Sequence, residues 1–252
     1  ITARSDRAQP AASFKSSGSM ILTGAEGAYV SDSEGRRYLD GIGGLWCVNI
    51  GYGRDEMADA MAAQARQMVY YSSFGHHTSV PAAQLAAKLA ELAPGDLNHV
   101  FYGLGGSESN DTAVRMIHFY FNRLGQPQKK KIITRHDSYH GSTYLTMSMT
   151  GVAFDHIGFD LVADGLIHRI SSPNTYRRPE GMTEEAFLSE LVGEFRAKIE
   201  ELGPENVAAF FAEPIQGVGG VIVAPKGYHP AMKRVCEEFG ILYVADEVVT
   251  AF

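Results

Sequence analysis

The chain has 252 residues, 45% of them hydrophobic and 20% charged, with a formal net charge of −7 at pH 7. That is enough apolar material for a substantial core, in one large domain or one domain with a small appendage, and too little charge for a disordered chain. The negative balance argues against a general nucleic-acid binder, and no apolar run approaches the roughly 20 residues of a membrane span.

Cys47 and Cys236 lack metal-ligand spacing and are too few for a disulfide framework. A reducing cytoplasm is the expected compartment. The opening residues, "ITARSDRAQPAASF", lack the apolar centre of a signal peptide, and they begin with Ile, so the expectation is a segment of something longer.

In chain order, residues 1–20 are polar and Ser-rich and read as a loose arm. "GAYVSDSEGRRYLDG" (27–41) reads as a hairpin, with Tyr29-Val30 and Tyr38-Leu39 flanking the turn-forming "SDSEG". "GIGGLWCVNIGYG" (41–53) is Gly-rich, as where backbone turns sharply or approaches closely. Two helices follow: residues 55–68, with acids in the first turn, and residues 81–95, opened by Pro and stopped by Pro-Gly. The aromatic stretch "VYYSSFGHHTS" (69–79) joins them as a loop, with His76 and His77 on its surface or in a pocket wall.

From there short β-rich runs alternate with helical ones. "HVFYGL" precedes a helix over 107–125, and "KKIITR" (130–135) precedes "DSYHGST". "NVAAFFAEPI" (206–215) precedes a helix over 227–240, and "ILYVADE" follows it. This alternation predicts βαβ units and a mostly parallel sheet, with any ligand beyond the carboxyl ends of the strands. The "KKK" run at 129–131 reads as a solvated strand entrance.

Four of these strand ends carry unusual residues. In "GLGGSESND" (103–111), Gly106 and Ser107 stand at the start of a helix, where free N–H groups and the helix dipole suit a phosphate. An ordinary strand-to-helix turn explains the glycines equally well, and neither a dinucleotide fingerprint nor a P-loop is present. "RHDSYHGST" sets Tyr139 and His140 just after a strand, where a ring can stack on a flat ligand. His136 and His140 are four apart, but the turn-like "DSYHG" disfavours a helix, and no metal site is expected.

Glu213 and Asp246 each end an apolar strand. A buried carboxylate is costly unless paired, so for either acid alone a structural partner suffices as an explanation. Two such acids, a phosphate cradle and a stacking tyrosine together match one ligand, a pyridine ring with a phosphate arm. An acid beside the ring nitrogen stabilises its cationic form.

With these residues in view, the chain resembles the class III pyridoxal-phosphate aminotransferases, and among them the ω-transaminases of the ω-amino acid:pyruvate type. "GGSESNDTAVR", "SYHGST", "AEPIQGVGGVIVAPKGY" and "YVADEVVTAF" lie in order, and "YLDGIGGLWCVNIGYG" matches the family's N-terminal stretch, so the likeness runs from about residue 14 to the last residue. It implies an α/β fold of the fold-type I pyridoxal-phosphate transferases: a mostly parallel sheet with helices on both faces, without the small C-terminal domain.

The resemblance also implies an arm and hairpin over residues 1–48, which would be part of the small domain and substrate pocket, and an incomplete cofactor-binding large domain over 49–252. By the same likeness Gly106 and Ser107 cradle the phosphate and Tyr139 stacks on the ring with His140 beside it. Glu213 supports the site, Asp246 partners the ring nitrogen and Val248 covers the other ring face. Leu45, Trp46 and, more distantly, Phe74 would wall the substrate pocket.

The implied activity is ping-pong transfer of an amino group from an amine or ω-amino acid to a keto acid such as pyruvate, through the pyridoxamine form, in a homodimer. The lysine that carries the cofactor is expected beyond residue 252, because no lysine follows Asp246. The 252-residue segment alone is therefore expected to be inactive. An aminomutase, a decarboxylase or a truncated non-catalytic module remain alternatives.

Overall fold

The computed structural model describes residues 18–163 and 165–251, so the expected arm over residues 1–20 lies almost wholly outside the described residues. The chain divides into two compact units, residues 1–101 and 102–252.

The first unit holds an antiparallel sheet of three strands, β1 (Leu22–Glu26), β2 (Tyr29–Asp32) and β3 (Arg37–Leu39). The expected hairpin is β2–β3, with Tyr29 opposite Leu39 and Val30 opposite Tyr38. Asp32 ties its turn: Oδ1 accepts from the N–H groups of Glu34 and Arg36, and Oδ2 from Arg36 Nε and the Tyr38 hydroxyl. Burial opposes ionisation there, but these donors hold the carboxyl down at about 2.

The Gly-rich stretch makes a single turn, Gly43–Trp46, in which Leu45 and Trp46 take φ of 64° and 63°. Asp40 braces it, accepting from Gly44 N–H and the Tyr52 hydroxyl. Helices α1 (Asp55–Gln67) and α2 (Val80–Leu92) follow, the second capped by Ser79, which accepts from Ala82 N–H.

The second unit is built on four parallel strands in the order β5 (Ile167–Ile170), β4 (Lys131–Arg135), β6 (Val207–Ala212), β9 (Leu242–Ala245). A small antiparallel pair, β7 (Ile215–Gln216) and β8 (Ile222–Val223), lies between β6 and β9 in the chain. All six residues of β6 are buried. This is the signature of a parallel strand covered on both faces, which reads as a continuous apolar run.

Successive side chains serve opposite faces. Ile133 and Phe210 join α5 (Glu184–Leu202) and α6 (Tyr228–Glu238) in one core. Ile132 and Phe211 join α3 (Gly106–Arg123) and the short α4 (Tyr144–Met149) in the other. Helices on both faces of a parallel sheet are the architecture expected from the sequence.

Four stretches depart from expectation. "HVFYGL" forms no strand among the described residues; Phe101 is 64% and Leu104 98% exposed, and strand-forming residues without a paired neighbour do not make a strand. The sequence reading passed over β5 and the 19-residue helix α5. Finally, "KKK" is no solvated entrance. Lys129 is buried, and its Nζ donates to the carbonyls of Phe239 and Gly240, while Lys131 Nζ donates to that of Leu202 and Lys130 Nζ to Asn122 Oδ1 and the carbonyl of His118. The three lysines thus meet the carboxyl ends of α6, α5 and α3, where carbonyls are in excess and the dipole is negative.

Candidate active site

The carboxyl ends of β4, β6 and β9 face one cavity together with the start of α3. It is lined by Gly106, Ser107, Asn110, Tyr139, His140, Gly141, Glu213, Ile215, Val218, Asp246, Val248 and Val249. All seven expected cofactor-site residues are among them. Leu45 (53% exposed), Trp46 (36%) and Phe74 (90%) belong to the first unit.

The topology explains the gathering. Glu213 follows the last residue of β6 and Asp246 the last residue of β9, and these two strands pair through Ala212 and Ala245. The Asp246 N–H continues the ladder onto the Ala212 carbonyl at 2.9 Å. Two acids far apart in the chain are therefore set side by side.

Their electrostatics differ. Burial disfavours the Asp246 anion, but His140 Nδ1 (2.8 Å) and Asn110 Nδ2 (2.8 Å) both meet Oδ2, and these partners hold the carboxyl below its usual range. An ionised carboxylate only accepts, so His140 carries its proton on Nδ1. Its Nε2 is buried and has no partner among the described residues, and the ring stands edge-on to Phe211 at 6.2 Å. Among the described residues Oδ1 accepts only a long bond of 3.4 Å from Val248 N–H, which leaves it room for another donor.

Glu213 is the opposite case. Burial pushes its carboxyl up, against backbone N–H groups of Tyr139 (2.9 Å, to Oε1) and Gly217 (3.0 Å, to Oε2). Its carbonyl accepts from Nη2 of the fully buried Arg135 at 2.6 Å. Glu213 thus staples two loops, and both of its oxygens are spoken for.

The loop bearing Tyr139 and His140 is pinned along its length. Ser138 Oγ donates to the Arg135 carbonyl, His140 N–H to Thr150 Oγ1, and Gln216 Nε2 to the His136 carbonyl. Gly141 has φ +133°, and a Cβ there would fall 2.5 Å from Ser107 Oγ and from Thr146 Oγ1, so only glycine fits.

At the far end of the cavity the first turn of α3 begins at Gly105, which has no side chain to cap it, so N–H groups of that turn lack intrahelical partners. A Cβ on Gly106 would strike Val248 Cγ2 at 2.8 Å; the missing side chain lets the backbone lie open to the cavity. Val248 itself is 68% exposed.

These features fit a phosphorylated pyridine. There is an anion site at uncapped N–H groups, a carboxylate with a free acceptor position, and apolar walls at Ile215, Val218, Val248 and Val249. Among the described residues no group of three or more His, Cys, Asp or Glu could hold a metal ion, and no helix is long and apolar enough to cross a membrane.

Sequence reasoning missed Asn110, Gly141 and Arg135. For Asn110 a signal existed: it lies three residues after Ser107, on the same helix face. For buried Arg135 nothing in a lone strand-end arginine marks its role.

The class III aminotransferase family model matches residues 12–252. The chain is 44% identical over 235 residues to a putrescine–pyruvate aminotransferase of Pseudomonas aeruginosa, covering 93% of this chain and 51% of that one. It is 40% identical to a diaminobutyrate–2-oxoglutarate transaminase of Halomonas elongata, covering 92% and 50%. Among solved structures it resembles an ω-transaminase of Pseudomonas jessenii in complex with PMP (TM-score 0.92, 39% identity, 95% of this chain and 53% of that one). It also resembles an (S)-enantioselective ω-transaminase of Thermomicrobium roseum (TM-score 0.92, 41%, covering 99% and 57%). The chain spans about half the length of the curated relatives it matches. Its sheet topology is that of the fold-type I pyridoxal-phosphate enzymes, and pyridoxal phosphate is the family's cofactor. The chain belongs to the class III aminotransferases.

Proposed function

We propose that this chain contributes most of the cofactor site of a transaminase that moves an amino group from an amine or ω-amino acid to a keto acid such as pyruvate. The observation that carries the reading is Asp246. It is a buried carboxylate held ionised by His140 and Asn110, just past the carboxyl end of β9, with Oδ1 still open to a donor.

When bound, pyridoxal phosphate supplies a cationic ring that draws electron density from the substrate carbon. Asp246 would hold a proton at the ring nitrogen. The N–H groups at Gly106 and Ser107 would bind the phosphate, and Tyr139 and Val248 would bracket the ring. Glu213 would keep the Tyr139 loop in register through its two backbone bonds.

Leu45, Trp46 and Phe74 as substrate-pocket walls, residues 1–48 as arm and hairpin, and 49–252 as the large cofactor domain belong to the same proposal. So do the lysine beyond residue 252, a homodimer and a cytoplasmic location. The relatives' printed substrates guide the test. The complete protein is incubated with pyridoxal phosphate, pyruvate and in turn putrescine and diaminobutyrate. Alanine formation with at least one donor is expected; none with any amine, and no cofactor uptake, would overturn the reading.

A further inference from the structure

Asn110 sits at the meeting point of three parts of the site. It is on α3 one turn from Gly106 and Ser107, it is 7% exposed, and its Nδ2 donates to Asp246 Oδ2 at 2.8 Å and to the His140 carbonyl at 2.9 Å. Both amide protons are therefore used. The reversed amide would turn its oxygen towards a carboxylate and a carbonyl, three acceptors with no donor, so the orientation is fixed by chemistry.

The second donor to Oδ2 is the ring of the same His140 whose carbonyl Asn110 holds. The three groups close a ring of contacts: amide to carboxylate, imidazole to carboxylate, amide to the backbone of the imidazole. With Oδ2 taken by two donors, the carboxylate cannot rotate without breaking both, and Oδ1 is left for the ligand.

We infer that Asn110 is a positioning residue that locks the rotation of Asp246 and ties it to the phosphate-binding turn of α3, so that the acid at the ring nitrogen and the anion site at the other end of the cofactor are held at a fixed separation. This rests on the reading of Asp246 and of the α3 start given under the proposed function.

The structure favours this over a packing role. A residue that merely fills space at this depth would be apolar, as Val114 is one turn later on the same helix. A buried amide is tolerated only where its bonds are made, and here both go to groups of the site.

The test uses the complete protein, stripped of cofactor and reconstituted with isotopically labelled pyridoxal phosphate. Asn110→Ala and Asn110→Asp are compared with wild type by cofactor dissociation constant, ring-nitrogen NMR shift, the separate effects on kcat and amine KM, and melting temperature of the apoprotein. The expected result is a loss of about tenfold in cofactor affinity, the size set by one charge-assisted hydrogen bond. With it should come a lowered kcat at nearly unchanged KM and a ring-nitrogen shift moved towards the unprotonated form. Asn110→Asp should be worse than Asn110→Ala, because it sets a second acid against Asp246.

A lower apoprotein melting temperature with wild-type ring-nitrogen shift, affinity and kcat would reduce Asn110 to a packing residue and overturn the inference. Should Asn110→Ala not fold, Asn110→Ser carries the same comparison. A wild-type protein that takes up no pyridoxal phosphate would instead sink the proposed function itself, which separates the two failures.

Discussion

At Asp246 the chemistry comes down to two oxygens. Oδ2 accepts from His140 and Asn110, so in Asp246→Asn the single amide oxygen must take that place, because an amide nitrogen cannot accept. The NH2 group then falls where Oδ1 was, a donor facing the Val248 N–H and any protonated ring nitrogen. The variant should fold and retain some cofactor, while turnover falls on the order of 10²–10³-fold, the usual cost of one preorganised electrostatic partner. Near wild-type turnover would refute the assignment.

A second readout concerns pH. A carboxyl held below its ordinary value of 3.8 contributes stability that is present above that value and lost as pH falls through the depressed one. Acid unfolding of Asp246→Asn should lack that part of the wild-type slope. Glu213, pushed up by burial, has the opposite sign: its contribution is present below about pH 4.5 and is lost as pH rises through the elevated value. Both acids were legible in the sequence, because a carboxylate ending an apolar strand is out of place unless it has a task. For Asn110 the sequence marks only its place on the helix face of Ser107; its role depends on a partner 136 residues away.

At the scale of elements, the strands and helices of the second unit were read where local pattern and tertiary setting agree. "VAAFFA" is apolar throughout because both its faces are covered, and α3 buries Val114, Ile117 and Phe121 at helical spacing. The pattern of α5 was equally available: Thr183 caps it, Glu184 and Glu185 open it, and Phe187, Leu191, Phe195 and Ile199 recur every four residues. It carries packing residues and no chemical motif, so it marks a helix without marking a function.

The lysine triplet was misread for a physical reason. Charge suggests solvent, but a helix's carboxyl end is one of the few buried places that wants a cation. That makes a graded prediction. Lys129 is 6% exposed and satisfies two carbonyls, whereas Lys130 and Lys131 are only half-buried. Lys129→Ala should cost about 1–3 kcal/mol, the loss of two charge-assisted hydrogen bonds made by a buried ammonium, and alanine at the other two positions under about 1 kcal/mol, since water can replace them. Denaturant midpoints of the complete protein read this directly; equal losses at all three positions would mean that the carbonyl contacts of Lys129 carry no special weight.

At the scale of the molecule, every residue that lines the candidate cofactor cavity lies in the unit 102–252. A ligand that binds the folded site and not the unfolded chain stabilises by mass action, by about 2.7 kcal/mol at a hundredfold excess over its dissociation constant. Pyridoxal phosphate should therefore raise the melting temperature of the complete protein in proportion to the logarithm of its concentration. If the two compact units unfold in separate calorimetric transitions, the one belonging to 102–252 should move and the other should stay. Removing the cofactor by dialysis should reverse the shift. In Asp246→Asn the slope against concentration should persist but begin at higher cofactor levels, because the phosphate site at the start of α3 is intact while the contact at the ring nitrogen is lost. A melting temperature indifferent to pyridoxal phosphate in the wild type would mean that the cavity at the ends of β4, β6 and β9 is not where the cofactor is held. The close placement of Gly106, Tyr139 and Asp246 would then need a different ligand to explain it.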